Sequence, residues 1–387
     1  MVSRANRSPF AQWWWTVDRY MLAAILILMF GGVILSFAAS PSVAERLRYT
    51  DSFHFVKRQA MFLVPALIIL FGASFMTPRM ARRAAFLIFT VGLILMVVTL
   101  FAGAEVKGAR RWLSVAGFSI QPSEFVKPAF VVLAAWLFSE DARRPDIPGS
   151  LFAALLLSVV VALLIAQPDF GQTMLITLVW AGLFFLAGMS WFWIIGLGGL
   201  GVAGVTVAYT LIPHVAGRIN RFLDPGSGDT FQIDAAIESF VMGGWLGRGP
   251  GEGTVKRILP DSHTDFIFAV AAEEFGILVC LGLVAVFAFV VLRGLIRSRV
   301  ASDDFSRLAA AGLAILFGIQ SVINIAVNLH LIPSKGMTLP FISYGGSSLL
   351  SLALGMGFLL ALTRKRPNTG RSNRTVTFEP LNRERLA

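Results

Sequence analysis

Residues 260–292 read PDSHTDFIFAVAAEEFGILVCLGLVAVFAFVVL. From Phe266 onward the run is long and apolar enough to cross a ~30 Å hydrocarbon core, which takes about 20 residues. Yet its opening carries Asp261, His263 and Asp265, and Glu273 and Glu274 follow about two turns into the helix. Ionisable groups at that depth are expensive and default to a functional reading. The stretch raises two questions: how many such spans the chain holds, and what the charges at this one do.

Working outward, nine further apolar segments lie near 20–39, 59–76, 83–102, 125–138, 151–166, 172–188, 191–212, 307–329 and 347–363. With 266–292 they make ten. The chain is 56% hydrophobic and 14% charged, whereas soluble domains are nearer a quarter charged. The expected fold is an all-α membrane protein, a polytopic bundle of about ten transmembrane helices. The expected division is a cytoplasmic N-terminal segment over 1–19, the ten-helix domain over 20–364, and a flexible cytoplasmic tail over 365–387. The first apolar run is too long for a signal peptide and reads as a retained helix. Cys280 is the only cysteine, so no disulfide can form within one chain.

The formal net charge of +11 would suit nucleic acid, but basic residues flanking helices account for it better. Arg4, Arg7 and Arg19, then Arg79, Arg82 and Arg83, Arg143 and Arg144, Arg293, Arg297, Arg299 and Arg307, and Arg364 to Arg374 fall on one side if the helix count is even. That side is assigned to the cytoplasm, with both termini inside. The other side is not free of cations. It carries Lys107, Arg110, Arg111, Lys127, Arg218, Arg221, Arg248, Lys256, Arg257 and Lys335, and an anionic ligand there would explain them.

The one long connection, 213–265, lies between helices 7 and 8 and is expected outside the cytoplasm. It is Gly-rich at GGWLGRGPGEG (243–253), and its middle, FQIDAAIESFVMGGW, has the spacing of an amphipathic or re-entrant helix. Loops of this length are usually functional or disordered, and the apolar content argues against disorder.

Four polar clusters share that outer side. In GARRWLSVAGFSIQPSEFVKP (108–128), Arg110, Arg111, Gln121, Glu124 and Lys127 stand at the start of the fourth helix, with Glu124 and Lys127 three apart and able to pair. A plain structural ion pair is the commoner role for such a couple. In AQPDFGQ (166–172), Asp169 reads as a helix cap. In PDSHTDF, Asp261, Ser262, Thr264 or Asp265 would serve as a cap. Equally, an acid beside a positive loop suits general-base work, with His263 next to Asp265. In HLIPSKGMTLPFISYGGSSLL (330–350), prolines and glycines force irregular backbone around Lys335, tolerated at membrane depth only inside protein or along a cavity. There is no P-loop or dinucleotide fingerprint, and His54, His214, His263 and His330 show no metal-ligand spacing.

Taken together, ARRW…QPSEFVKP, QPDFGQ, LPDSHTDFIFAVAAEEFG and PSKGMTLPFISYGGSS resemble the SEDS family (shape, elongation, division and sporulation) from about Tyr20 to Arg364. The lysine of PSKGMTLP is more similar to the cell-division branch than to the rod-shape branch. The resemblance implies a peptidoglycan glycosyltransferase of the bacterial cytoplasmic (inner) membrane, working at the division septum on lipid II. Its implied partners are a class B penicillin-binding protein and other divisome membrane proteins. Asp265 matches the family's essential aspartate and would be the catalytic base. Lys127, Lys335 and Arg218 or Arg248 would offset charge on the departing pyrophosphate, with Glu124 orienting Lys127, and Gln121, Arg110 and His263 completing the expected substrate-binding set. No cofactor is evident, though a divalent cation such as Mg or Mn would be able to share the charge-offsetting task. The rival classes are a lipid II flippase or proton-coupled carrier and a non-enzymatic division scaffold. Carriers tend to show paired broken helices in two related halves, and no such repeat is visible here.

Overall fold

The computed structural model describes residues 8–365, apart from 107, 116, 145, 189–190, 212–215, 218, 221, 223–230 and 334–335. Every one of the ten apolar segments is helical in it. A short helix α1 (Pro9–Thr16) comes first. It is followed by α2 (Arg19–Arg46), α3 (His54–Ser74), α4 (Pro78–Ala102), α5 (Pro122–Arg143), α6 (Gly149–Ala166), α7 (Phe170–Leu186) and α8 (Trp191–Leu211). Then come α9 (Phe231–Gly243), α10 (Ile267–Ser298), α11 (Asp304–Asn328) and α12 (Gly346–Leu362). Seven of these, α2, α3, α4, α6, α8, α10 and α11, are long and apolar enough to cross a membrane. The apolar helices α7 and α12 are shorter, and α5 is long but polar at both ends. Helix α9 stands in the middle of the long connection, where its sequence spacing places it.

Helix starts follow local chemistry. Asp18, Thr77, Asp169 and Asp303 each accept a hydrogen bond from the backbone N–H three residues on, and Pro78 fits the first turn of α4. Helices α5, α11 and α12 form the centre, buried along most of their length, while α8 leaves its surface outward.

The chain is not purely helical. Between α4 and α5 lies a three-stranded antiparallel meander, β1 (Ala104–Val106), β2 (Ala109–Val115) and β3 (Phe118–Ile120). A glycine at positive φ stands at each of its two turns, Gly108 (76°) and Gly117 (80°). Such tight hairpin turns favour that conformation.

The bundle has two ends. At one, the Asp18 carboxylate at the start of α2 accepts from Arg293 Nε (2.8 Å) and Arg297 Nε (2.5 Å) near the end of α10. Burial alone would raise the Asp18 carboxyl, but the two guanidiniums and the Met21 N–H hold it below the ordinary carboxylate range. Arg364, past α12, donates to Thr16 at the same end. At the other end sit the β-meander, the 166–170 turn, the last part of the long connection and the 336–345 segment.

Helix α10 is broken at Gly276, whose φ of 80° and ψ of 174° are not helical. The 244–249 segment repairs the break. Ile277 N donates to Gly244 O (2.9 Å), Arg248 N to Glu273 O (2.9 Å) and Gly249 N to Glu274 O (3.0 Å). Non-helical backbone at membrane depth needs such replacement partners. A Cβ on Gly276 would run into Trp245 O and Gly247 N. Gly276→Ala is therefore expected to cost about 2–3 kcal/mol or more, from strain plus displaced backbone. It should appear as a lower melting temperature of the detergent-solubilised protein; an unchanged melting curve would count against the packing described.

Candidate functional site

The PDSHTDF turn is built by backbone hydrogen bonds from two neighbours. Asp265 O accepts from Asn324 Nδ2 (3.0 Å) and Asn328 Nδ2 (2.9 Å) on α11. Thr264 O accepts from Ser343 Oγ (2.5 Å), and His263 O from Tyr344 N (2.9 Å). Asn324 Nδ2 also donates to Met337 O (2.6 Å), so one buried asparagine ties the turn to the 336–345 segment. Asp261 (φ 51°) and Phe341 (φ 64°) are held in the left-handed region, a strained state that surrounding structure must enforce.

The cap position of α10 is Phe266, with no side-chain cap bond. The Ala269 N–H of the first turn donates both to Phe266 O (3.1 Å) and, on α11, to Asn328 Oδ1 (3.1 Å). The half-buried Asp265 carboxylate points toward the 336–345 segment: a Cβ built on Gly336 would lie 3.3 Å from Asp265 Oδ2. The residue at 336 thus faces the acid directly, next to Lys335, which lies outside the described residues, as does Arg218. His263 is packed between the rings of Phe55 (centroids 4.6 Å apart) and Tyr344 (5.5 Å).

Beneath this turn runs a buried polar network. Lys127 Nζ donates to Glu124 Oε1 (2.9 Å) and to Gln320 Oε1 (3.3 Å). Glu124 also accepts from Gln172 Nε2 (2.9 Å) and Ser351 Oγ (3.4 Å). Gln320 Nε2 donates onward to Thr338 O (3.1 Å). The ion pair at 5% exposure on each side chain is therefore net neutral and linked through Gln320 to the segment facing Asp265. A cavity of about 10 Å³, enough for one water, lies beside Lys127 and Gln320.

Asp169 caps α7 as its sequence suggests, and it also pairs with Arg111 (3.5 Å). Burial pushes its carboxyl above the ordinary range, against the pull of Arg111 and of the Gln172 N–H. Arg111 further donates to the carbonyls of Gln167 (3.1 Å) and Pro168. Its neighbour Arg110 points the other way, toward Glu105 (3.5 Å) in an exposed cross-strand pair. Gln121 precedes α5, and its backbone N–H donates to Ser347 Oγ (3.1 Å). The described contacts of Arg248 are with Met242 and Thr254. The structure thus gathers Glu124 and Lys127 below the Asp265 turn and places Arg110 and Arg248 in other surroundings.

Glu273 and Glu274 hold the long connection. Glu273 accepts from the backbone N–H groups of Thr254 (2.6 Å), Val255 (2.7 Å) and Lys256 (2.9 Å). Glu274 pairs with the buried Lys256, which also donates to Ala38 O (3.0 Å) and Gly251 O (3.3 Å). Among the described residues no three His, Cys, Asp or Glu side chains converge to hold a metal ion.

A helical bundle with at least seven membrane-length apolar helices, a buried polar core and a clamped acidic turn at one end defines a multi-pass membrane protein with a built site. The chain belongs to the FtsW/RodA/SpoVE family, described as cell cycle proteins, whose model matches residues 18–368. It is 49% identical over 365 residues to a probable peptidoglycan glycosyltransferase FtsW of Caulobacter vibrioides, covering 94% of each chain. A probable peptidoglycan glycosyltransferase FtsW of Trichlorobacter lovleyi is 35% identical, with 92% of this chain and 96% of that one covered. Among solved structures, a chain from a peptidoglycan synthase complex that coordinates polymerization and crosslinking superposes with a TM-score of 0.75 at 26% identity, covering 90% of this chain and 97% of that one. RodA of Thermus thermophilus gives 0.66 at 26% identity with the same coverage.

Proposed function

We propose that the chain is a peptidoglycan glycosyltransferase that polymerises lipid II into glycan strands during septal wall synthesis. The observation that carries the reading is the placement of Asp265: its turn is clamped by its backbone from two sides, and its half-buried carboxylate faces Gly336. The names of the curated relatives and of the synthase complex support the same activity.

The acceptor sugar's 4-hydroxyl attacks the anomeric carbon of a second lipid-linked sugar. Asp265 takes the hydroxyl proton as the new C–O bond forms, and undecaprenyl pyrophosphate leaves with the electrons of the broken bond. Lys335 and Arg218 offset the leaving-group charge. His263, Gln121, Arg110 and Arg248 stay as candidate contacts for the sugars and phosphates. Lys127 acts from below: neutralised by Glu124, it fixes Gln320 and, through Thr338, the segment carrying Gly336. A divalent cation such as Mg or Mn would be able to share the screening of the pyrophosphate with these cations.

All ten long helices are proposed to cross the inner membrane, with both termini in the cytoplasm and residues 213–265 outside. The proposed partners are a class B penicillin-binding protein, which would crosslink the nascent strands, and other divisome membrane proteins. The test is to incubate the purified chain with fluorescent lipid II, with and without that transpeptidase, and to resolve the products on a gel. A polymer ladder in either arm is expected. No ladder in both arms, together with lipid II translocation across vesicles, would move the chain to the carrier class.

A further inference from the structure

At the end of the bundle opposite Asp265, a groove of about 310 Å³ opens between α2 and α10, lined by Tyr20, Ala23, Ile27, Ala285 and Phe289 among others. Tyr20, Ile27 and Phe289 are exposed, so the groove faces lipid. The Arg293 guanidinium stands at its mouth, 5.0 Å from the Tyr20 ring and 5.6 Å from the Phe289 ring. Arg293 and Arg297 both bind Asp18 through Nε alone. Among the described residues no acceptor faces their Nη nitrogens. A guanidinium has five N–H donors in a planar fork that matches a phosphate, and these two present their outer edges already fixed in place. Arg19, stacked 5.4 Å from Trp14 and Trp15, adds a third cation. Two arginines share a single carboxylate.

We propose that this groove holds one anionic glycerophospholipid, with its phosphate on Arg293 and Arg297 and an acyl chain along Ala23 and Ala285. Charge selects the occupant: the apolar groove ends at two fixed guanidiniums, which an acyl chain carrying a phosphate matches at once. Position selects the lipid. The groove lies on the arginine-rich end, where an anionic leaflet attracts basic residues, and away from the end where a polyprenyl pyrophosphate would be released. The site does not depend on the glycosyltransferase reading.

The experiment is native mass spectrometry of the detergent-purified full chain, titrated separately with dioleoyl-phosphatidylglycerol, dioleoyl-phosphatidylethanolamine and undecaprenyl phosphate. One phosphatidylglycerol is expected to bind about tenfold tighter than phosphatidylethanolamine, and Arg293→Gln/Arg297→Gln is expected to erase the preference, as two surface arginines would predict. That double variant leaves Asp18 with the Met21 N–H alone. Ala23→Leu/Ala285→Leu therefore serves as the second variant: both positions face outward, the arginines stay, and the filled groove should lose the lipid. Equal affinity for the two phospholipids, tighter binding of undecaprenyl phosphate, or unchanged phosphatidylglycerol binding by either variant would overturn the proposal.

Discussion

Asp265→Asn is expected to lower lipid II polymerisation by about 10²–10⁴-fold, the usual contribution of a general base, while leaving the melting temperature of the protein unchanged. The substitution keeps the shape of the side chain and removes only its capacity to accept a proton. The turn around it depends on backbone groups: Asp265 O receives Asn324 and Asn328, and Asp265 N donates to Asp261 O (3.0 Å). Asparagine retains all three bonds. The Ala269 N–H at the start of α10 is satisfied by Asn328 Oδ1 and Phe266 O, neither of which the substitution touches. The measurement is the initial rate of glycan formation from fluorescent lipid II for wild type and variant at equal folded concentration. A variant within tenfold of wild type would sink the assignment of Asp265 as base, even if the chain polymerises.

The ten helices were legible because apolar length is a one-dimensional signal. The β-meander was not, because its strands are three to seven residues long and its two arginines drew attention as charges. Gly108 and Gly117 were the one local turn signal, and glycine by itself is a weak one. Arg110 and Arg111 look equivalent in sequence; alternation along β2 sends one to Glu105 at the surface and the other to Asp169. The partners of the Glu124–Lys127 pair, Gln172, Gln320 and Ser351, come from three other helices. Their signal was faint but present, since a glutamine inside an apolar run needs a partner in the bundle. Glu273 and Glu274 drew attention by their cost at depth, and the structure shows both with compensating partners in the long connection. What the sequence could not supply is the acceptor and donor geometry, because the three backbone N–H groups that bind Glu273 lie 17–19 residues away in a turn without periodic pattern.

Lys256→Met is expected to destabilise the protein by about 3–5 kcal/mol, the scale for removing one partner of a buried ion pair. Lys256 and Glu274 are 3% and 1% exposed. Lys256 donates to Glu274 Oε1, and Glu274 Oε2 has no hydrogen-bond partner, so methionine would leave a buried carboxylate without its cation. The loss should reach function, because the clamp at 251–256 directly precedes the 258–265 stretch that presents Asp265. The cause can be separated from mere loss of contact. In Lys256→Met/Glu274→Gln the uncompensated charge is gone, and at least half of the lost stability should return, although Ala38 O and Gly251 O still lack their donor. Melting curves in one detergent, with limited proteolysis of the 244–259 segment as a local readout, decide the matter. If the double variant is as unstable as the single one, the lysine holds the long connection through the two carbonyls and not through the buried charge.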